Sequence, residues 1–235
     1  MIELAPGIHR VPVTPADLVN VFLFEEPSGE LTLVDAGVKG SPKRVLAAIE
    51  ALGRSPADVT RIVLTHAHAD HAGGAARMQA ATGGRVHAHA DDEAYVRDGR
   101  VPPRDRRSIL GRLLQMLPDG FAPLAVDEVF TDGGVLDVAG GLRVVHTPGH
   151  SPGHVSLFHE GSGVLLTGDA LFNWTRRIQF SPRFFCTDIP MSRETAFRLG
   201  DLDFETVAFM HGPEIRDDAQ RRVQDFLARR ITGRE

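Results

Sequence analysis

Four side chains able to hold a divalent metal fall within six residues, in the run His66-Ala67-His68-Ala69-Asp70-His71. Imidazole and carboxylate are the usual protein ligands of zinc and related ions. The run follows directly on Arg61-Ile62-Val63-Leu64-Thr65, a short apolar stretch that reads as a strand. A loop leaving a strand end can turn all four side chains toward one point. Three more ligand-type residues each follow an apolar run and sit beside or near glycine: His150 in Thr147-Pro148-Gly149-His150, Asp169 in Thr167-Gly168-Asp169-Ala170, and His211 in Met210-His211-Gly212. Glycine permits close backbone approach at such turns. Together these make seven ligands, enough for two ions. The chemistry a metal pair supplies is activation of water near neutral pH and polarisation of a substrate oxygen.

The elements that must position these residues are legible in outline. Val19 to Phe24 and Leu31 to Asp35 read as strands around the turn Glu26-Pro27-Ser28-Gly29. A helix follows, with Ser41 as cap, Pro42 at its first position and Gly53 at its end, and with Val45, Leu46, Ile49 and Leu52 on one face. Ala72 to Ala81 and the stretch near Asp91 to Arg97 read as helices on either side of the strand Val86-His87-Ala88. Strands are expected again at Glu128 to Thr131, Val135 to Val138, Leu142 to His146, Val155 to His159, Val164 to Thr167 and Thr206 to Met210. Arg193 to Leu199 reads as a helix, and a last helix carries Ile215, Ala219, Val223, Phe226 and Leu227 on one stripe. Residues 99–125, with four prolines and an amphipathic piece from Ile109 to Leu117, read as an insert or lid. No linker separates the halves, so residues 1–235 are expected to form one α/β domain: two sheets face to face with helices outside.

Composition narrows the function classes. The 235 residues are 42% hydrophobic and 24% charged, a globular balance. A net charge of -5 advertises no surface for nucleic acid. No apolar run is long enough to span a membrane, and the first ten residues carry no basic-then-apolar leader pattern. Cys186 is the one cysteine, so no intramolecular disulfide forms. These features point to a cytoplasmic protein acting on a small molecule.

The ordered set Asp35 (in Val34-Asp35-Ala36-Gly37), His66, His68, Asp70, His71, His150, Asp169 and His211 resembles the metallo-β-lactamase superfamily over nearly the whole chain. The resemblance implies an αββα four-layer sandwich with metals at one edge. It implies that His66, His68 and His150 hold one ion, that Asp70, His71 and His211 hold the other, and that Asp169 bridges them. Asp35 would orient ligands rather than bind metal. The expected function is binuclear hydrolysis of an ester, thioester or lactone carbonyl by a metal-bound hydroxide, with two divalent ions, zinc before iron or manganese. Asp70 would carry a proton and Asp169 would hold the pair.

Around this centre, His154 is expected to support the His150 loop by hydrogen bonding, while His9, His87, His89, His146 and His159 read as packed or surface histidines. Phe172, Trp174, Phe180, Phe184 and Phe185 crowd the segment after Asp169, along with Arg176 and Arg177, and read as an apolar pocket wall; Phe172, Trp174, Phe180, Arg176 and Arg177 are expected to bind substrate, with an arginine for an anionic group. A related alternative is a mononuclear iron persulfide dioxygenase using His66, His150 and Asp169; His211 would then have no metal to hold. A metal-stabilised binding protein is the remaining reading, and the complete ligand set weighs against it.

Overall fold

The computed structural model describes residues 1–231. Seven strands build the first sheet in chain order: β1 (Ile2–Ala5), β2 (Ile8–Pro12), β3 (Asn20–Glu25), β4 (Leu31–Val34), β5 (Val59–Val63), β6 (Arg85–His89) and β7 (Glu128–Phe130). The first four pair antiparallel; β4 to β7 run parallel. Parallel neighbours need crossovers, and these carry α1 (Pro42–Ala51), α2 (Ala75–Thr82), α3 (Glu93–Asp98) and α4 (Ile109–Leu114).

The second sheet contains β8 (Val135–Leu136), β9 (Leu142–His146), β10 (Val155–His159) and β11 (Val164–Leu166). A small hairpin of β12 (Leu171–Phe172) and β13 (Gln179–Phe180) precedes α5 (Ile189–Ala196). Then β14 (Thr206–Ala208) joins the sheet parallel to β11, giving the order β14-β11-β10-β9-β8, and α6 (Ala219–Ile231) closes the described chain.

Strand alternation sorts the core into three layers. Phe22, Phe24, Val34 and Val63 face Val144, Leu157, Leu166 and Ala208 between the sheets. Val21, Leu23, Leu33 and Ile62 point the other way and meet Val45 and Ile49 of α1 and Met78 of α2. On the far side Phe158, Leu165 and Val207 pack under Val223, Phe226 and Leu227 of α6. A residue and its chain neighbour thus feed different cores, which fixes strand register. Helix, sheet, sheet and helix make the expected αββα architecture.

Four differences from the sequence reading have physical reasons. Helix α2 begins at Ala75 rather than Ala72 because Gly73 and Gly74 are spent on close backbone approach: a Cβ would lie 2.1 Å from Ala69 O at the first and 2.3 Å from Ala36 O at the second. Ile215 is buried with the α6 stripe but sits before the helix, bridged to Val207. The apolar stripe of α4 is turned outward, with Ile109 68% and Leu113 58% exposed. The opening hairpin β1–β2 precedes the strands read from sequence, and there the buried Arg10 is satisfied by an ion pair to Glu214 and the buried His9 by a hydrogen bond to Glu25 rather than by apolar packing.

Candidate metal centre

All seven ligand-type residues lie on loops at one edge of the sandwich. The His66–His71 loop follows β5, His150 follows β9, Asp169 follows β11, and His211 follows β14. Three nitrogens converge first: His66 Nε2 lies 3.1 Å from His68 Nδ1, His150 Nε2 lies 3.2 Å from His66 Nε2, and 2.8 Å separates His150 Nε2 from His68 Nδ1. Zinc bonds of 2.0–2.1 Å in a tetrahedron put donors roughly 3.3 Å apart, so the trio matches an ion's first sphere. A second group forms around His71 Nε2 and His211 Nε2, 3.3 Å apart, with Asp70 Oδ1 3.8 Å from the former and Asp70 Oδ2 3.5 Å from the latter.

Asp169 stands between the groups. Its Oδ2 lies 3.2 Å from His150 Nε2 and 3.9 Å from His66 Nε2; its Oδ1 lies 3.3 Å from His71 Nε2 and 3.2 Å from His211 Nε2. The carboxylate is buried, and Oδ1 has no hydrogen-bond partner. Buried acceptors are almost always satisfied, so an orphan facing two imidazole nitrogens fits a site built to receive a cation.

The outer ring nitrogens are pinned, which aims the inner ones. Asp35 accepts the Thr65 N–H at 2.8 Å and the Thr65 O–H at 2.7 Å, and bonds His71 Nδ1 at 2.8 Å. It does so from a backbone φ of 58°, uncommon for a residue with a side chain and held here by those three bonds. Thr65 Oγ1 contacts His66 Nδ1 at 3.1 Å, Ser181 Oγ contacts His150 Nδ1 at 2.8 Å, and His211 Nδ1 reaches Leu18 O. His154 donates from Nδ1 to Thr147 O at 2.8 Å and accepts the Asp169 N–H on Nε2 at 2.7 Å.

Electrostatics follow from burial and from Asp169. Burial and neighbouring imidazoles hold His66 and His68 well below the usual histidine range. Burial opposes protonation of His71 and His150 too, but Asp169 outweighs it, raising His71 and lifting His150 to about 9. Burial pulls His154 down to about 3, which suits its accepting role. For Asp169 burial favours the neutral acid, yet His211, His71 and His150 keep it ionised, well below the carboxylate range.

A cavity of about 910 Å³ opens beside the ligands and reaches His68, Asp70 and Asp169. Its apolar wall includes Val38, Val101, Phe121 and Phe185, and Lys39 and Arg77 stand at its polar side. Parts of residues 99–125 therefore wall the site. The five residues expected to bind substrate lie elsewhere. Phe172 stacks on His211 at 4.4 Å between ring centroids and Trp174 abuts the same ring at 5.4 Å. Phe180 packs on Phe226 and under Arg193, Arg176 borders a separate shallow pocket near Glu214, and Arg177 is exposed. Sequence reasoning missed Ser181, Asp92 and, apart from Phe185, the apolar residues of the cavity wall. Nothing in their local pattern marks them, because their partners are brought in by the fold. In a further grouping, His89, Asp91 and His146, the ring nitrogens nearest the Asp91 carboxylate are engaged: His89 Nδ1 accepts the Asp91 N–H at 3.2 Å and His146 Nε2 bonds Pro152 O at 2.9 Å.

An αββα sandwich carrying two His/Asp groups at its strand ends defines a class of metal-dependent hydrolases. The chain belongs to the metallo-beta-lactamase superfamily, whose family model matches residues 14–211. It is similar to the probable metallo-hydrolase YflN of Bacillus subtilis, 25% identical over 98% of this chain and 93% of that protein. It is also similar to the hydroxyacylglutathione hydrolase GloC of Haemophilus influenzae, 27% identical over 71% of this chain and 72% of that one. Among solved structures, the metallo-beta-lactamase family protein TTHA1429 of Thermus thermophilus aligns with a TM-score of 0.73 and 28% identity, over 98% of this chain and 81% of that one. The Rm3 metallo-beta-lactamase, at 21% identity and a TM-score of 0.74 over 99% of this chain and 92% of that one, shares the fold. The protein is a metal-dependent hydrolase.

Proposed function

We propose that the chain is a binuclear hydrolase of esters, thioesters or lactones, with two divalent ions, zinc foremost. The observation that carries this reading is the split of Asp169, one oxygen toward each ligand group. His66, His68 and His150 would hold one ion, Asp70, His71 and His211 the other, with Asp169 shared. When bound, such a pair supplies a water acidic near neutral pH and an electrophile for the carbonyl oxygen.

The chain's own residues do the rest. Asp35, Ser181 and His154 fix ring and carboxylate orientation, so little reorganisation is needed during reaction. Of the two ligand-group carboxylates at the cavity, Asp70 is the exposed one, with its side chain 37% exposed, and is placed to pass a proton to the leaving group. The apolar wall around Phe121 and Phe185 suits an acyl substituent, and Lys39 and Arg77 suit a polar or anionic end of the substrate. The single buried cysteine and the absence, among described helices, of one long and apolar enough to cross a membrane accord with a cytoplasmic enzyme of small molecules.

The test is a panel of thioesters, lactones, esters, phosphodiesters and β-lactams on protein of verified metal content. Turnover of a carbonyl substrate that tracks two ions per chain supports the proposal. Oxygen uptake with glutathione persulfide at one iron per chain would replace it with the dioxygenase reading, and no turnover in either assay with the binding-protein reading.

A further inference from the structure

Asp92 stands at the start of α3, where an aspartate would be expected to cap the helix. Its carboxylate makes no cap bond. It is 1% exposed and turns instead to the two loops that carry the histidine trio. Oδ2 accepts the Ala67 N–H at 2.9 Å, between His66 and His68, and the Ser151 O–H at 2.6 Å, next to His150. Oδ1 accepts the Gly153 N–H at 2.7 Å. One carboxylate thus joins a loop 59 to 61 residues further along the chain to one 25 residues before it.

The surroundings are shaped for this contact. A Cβ on Gly153 would lie 2.6 Å from Asp92 N and 2.9 Å from its Cγ, so no residue with a side chain allows the approach. The trio also needs such a tie. His66, His71, His150 and His211 each have an outer nitrogen pinned, whereas His68 turns Nδ1 inward and has no hydrogen bond from Nε2 among the described residues. The place of its ring is set by backbone, and Asp92 holds the neighbouring Ala67 N–H.

We propose that Asp92 is a positioning residue for one metal position, clamping the His66–His68 loop to the His150–Gly153 loop so that the histidine trio stays closed around its ion. The inference rests on the two-ion reading above. The second position is held from other sides, by Asp35 at His71 and by Leu18 at His211. Loosening the clamp therefore acts on the trio and spares Asp70, His71 and His211.

The charge state matters because three donors meet two acceptor oxygens. In Asp92→Asn, either orientation of the amide sets its NH2 against a backbone N–H, that of Gly153 or that of Ala67. Gly153→Ala breaks the same clamp sterically while keeping the carboxylate. Loss of a hydrogen bond that supports metal ligands lowers metal affinity about 10–100-fold.

The experiment is chelator competition on the zinc-loaded full chain, reading zinc retained per chain. In Asp92→Asn and in Gly153→Ala, one zinc is expected to leave at about 10-fold lower chelator concentration or less, with release of the other unchanged. With His211→Ala, which keeps the trio alone, Asp92→Asn shifts release; with His68→Ala, which keeps the other position, it does not. Asp127→Asn is the control, since Asp127 accepts the Val86 N–H at 2.7 Å at the far end of β6. If Asp92→Asn fails to fold, Ser151→Ala removes one of the three bonds and must shift the same ion less. Parallel release of both ions, no shift in any clamp variant, or an equal shift in Asp127→Asn overturns the proposal. Wild-type protein taking up fewer than two zincs overturns the two-ion reading instead.

Discussion

His154 is the sharpest place to test how the site is held together. Its Nε2 accepts the Asp169 N–H and its Nδ1–H donates to Thr147 O, so the fold requires the neutral ring. Replacing it by Asn keeps a donor for Thr147 and leaves the Asp169 N–H without an acceptor. A buried orphan of this kind costs about 1–3 kcal/mol. Burial of the ring, with His150 beside it, makes a second, independent demand on pH. The ring's value falls from 6.5 to about 3 on folding, so between those limits the unfolded chain binds the extra proton and stability rises with pH. The contribution is complete above 6.5 and drains away below it, at about 1.4 kcal/mol per pH unit. Between pH 7 and pH 5 His154 should therefore account for about 2 kcal/mol of lost stability. Urea denaturation of metal-free wild type and His154→Asn at both values measures it. Other buried histidines titrate in both proteins and cancel in the difference. The gap between the two proteins should narrow by about 2 kcal/mol at the lower pH. A gap of equal size at pH 7 and pH 5 would refute the assignment of a neutral, accepting ring.

Three further outcomes are expected. Asp35→Ala strips the acceptor from Thr65 N–H, Thr65 O–H and His71 Nδ1, and should cost about 3–5 kcal/mol in denaturant titration while weakening the ion beside His71 about 10-fold or more. Gly149→Ala places a Cβ 2.1 Å from Ser192 N at a φ of +116°, a clash with backbone at a strained angle; calorimetry should show a loss of about 2–4 kcal/mol. Phe121→Ala removes apolar wall from the cavity and should raise KM for an acyl substrate about 10-fold with kcat nearly unchanged, as expected for binding shared by ground and transition states.

Much of the site was legible because its signal is local. His66 to His71 are packed into one loop, and His150, Asp169 and His211 each end an apolar strand, so their type and place could be read without knowing the fold. The strands of the second sheet were visible for the same reason: Val155 to His159 and Leu142 to His146 alternate between two cores. What stayed hidden depends on partners distant in sequence. Arg10 looks like a surface residue until Glu214 arrives 204 positions later to pair with it. Asp92 looks like a helix cap until Ser151 and Gly153 fold over it. The aromatic cluster after Asp169 announced apolar packing, and the structure spends Phe172 and Trp174 on bracing His211, while the cavity wall comes from Phe121 and from Phe185 at the end of the same cluster. Composition marks aromatic residues as apolar without telling which side of a ligand they occupy.

The central claim is that Asp169 shares two ions. A crystal structure of the zinc-loaded protein with anomalous scattering at the zinc edge tests it directly. The account requires two peaks about 3.5–4 Å apart with an Asp169 oxygen on each. A single peak within His66, His68 and His150, or two peaks with Asp169 bound to one alone, would contradict it.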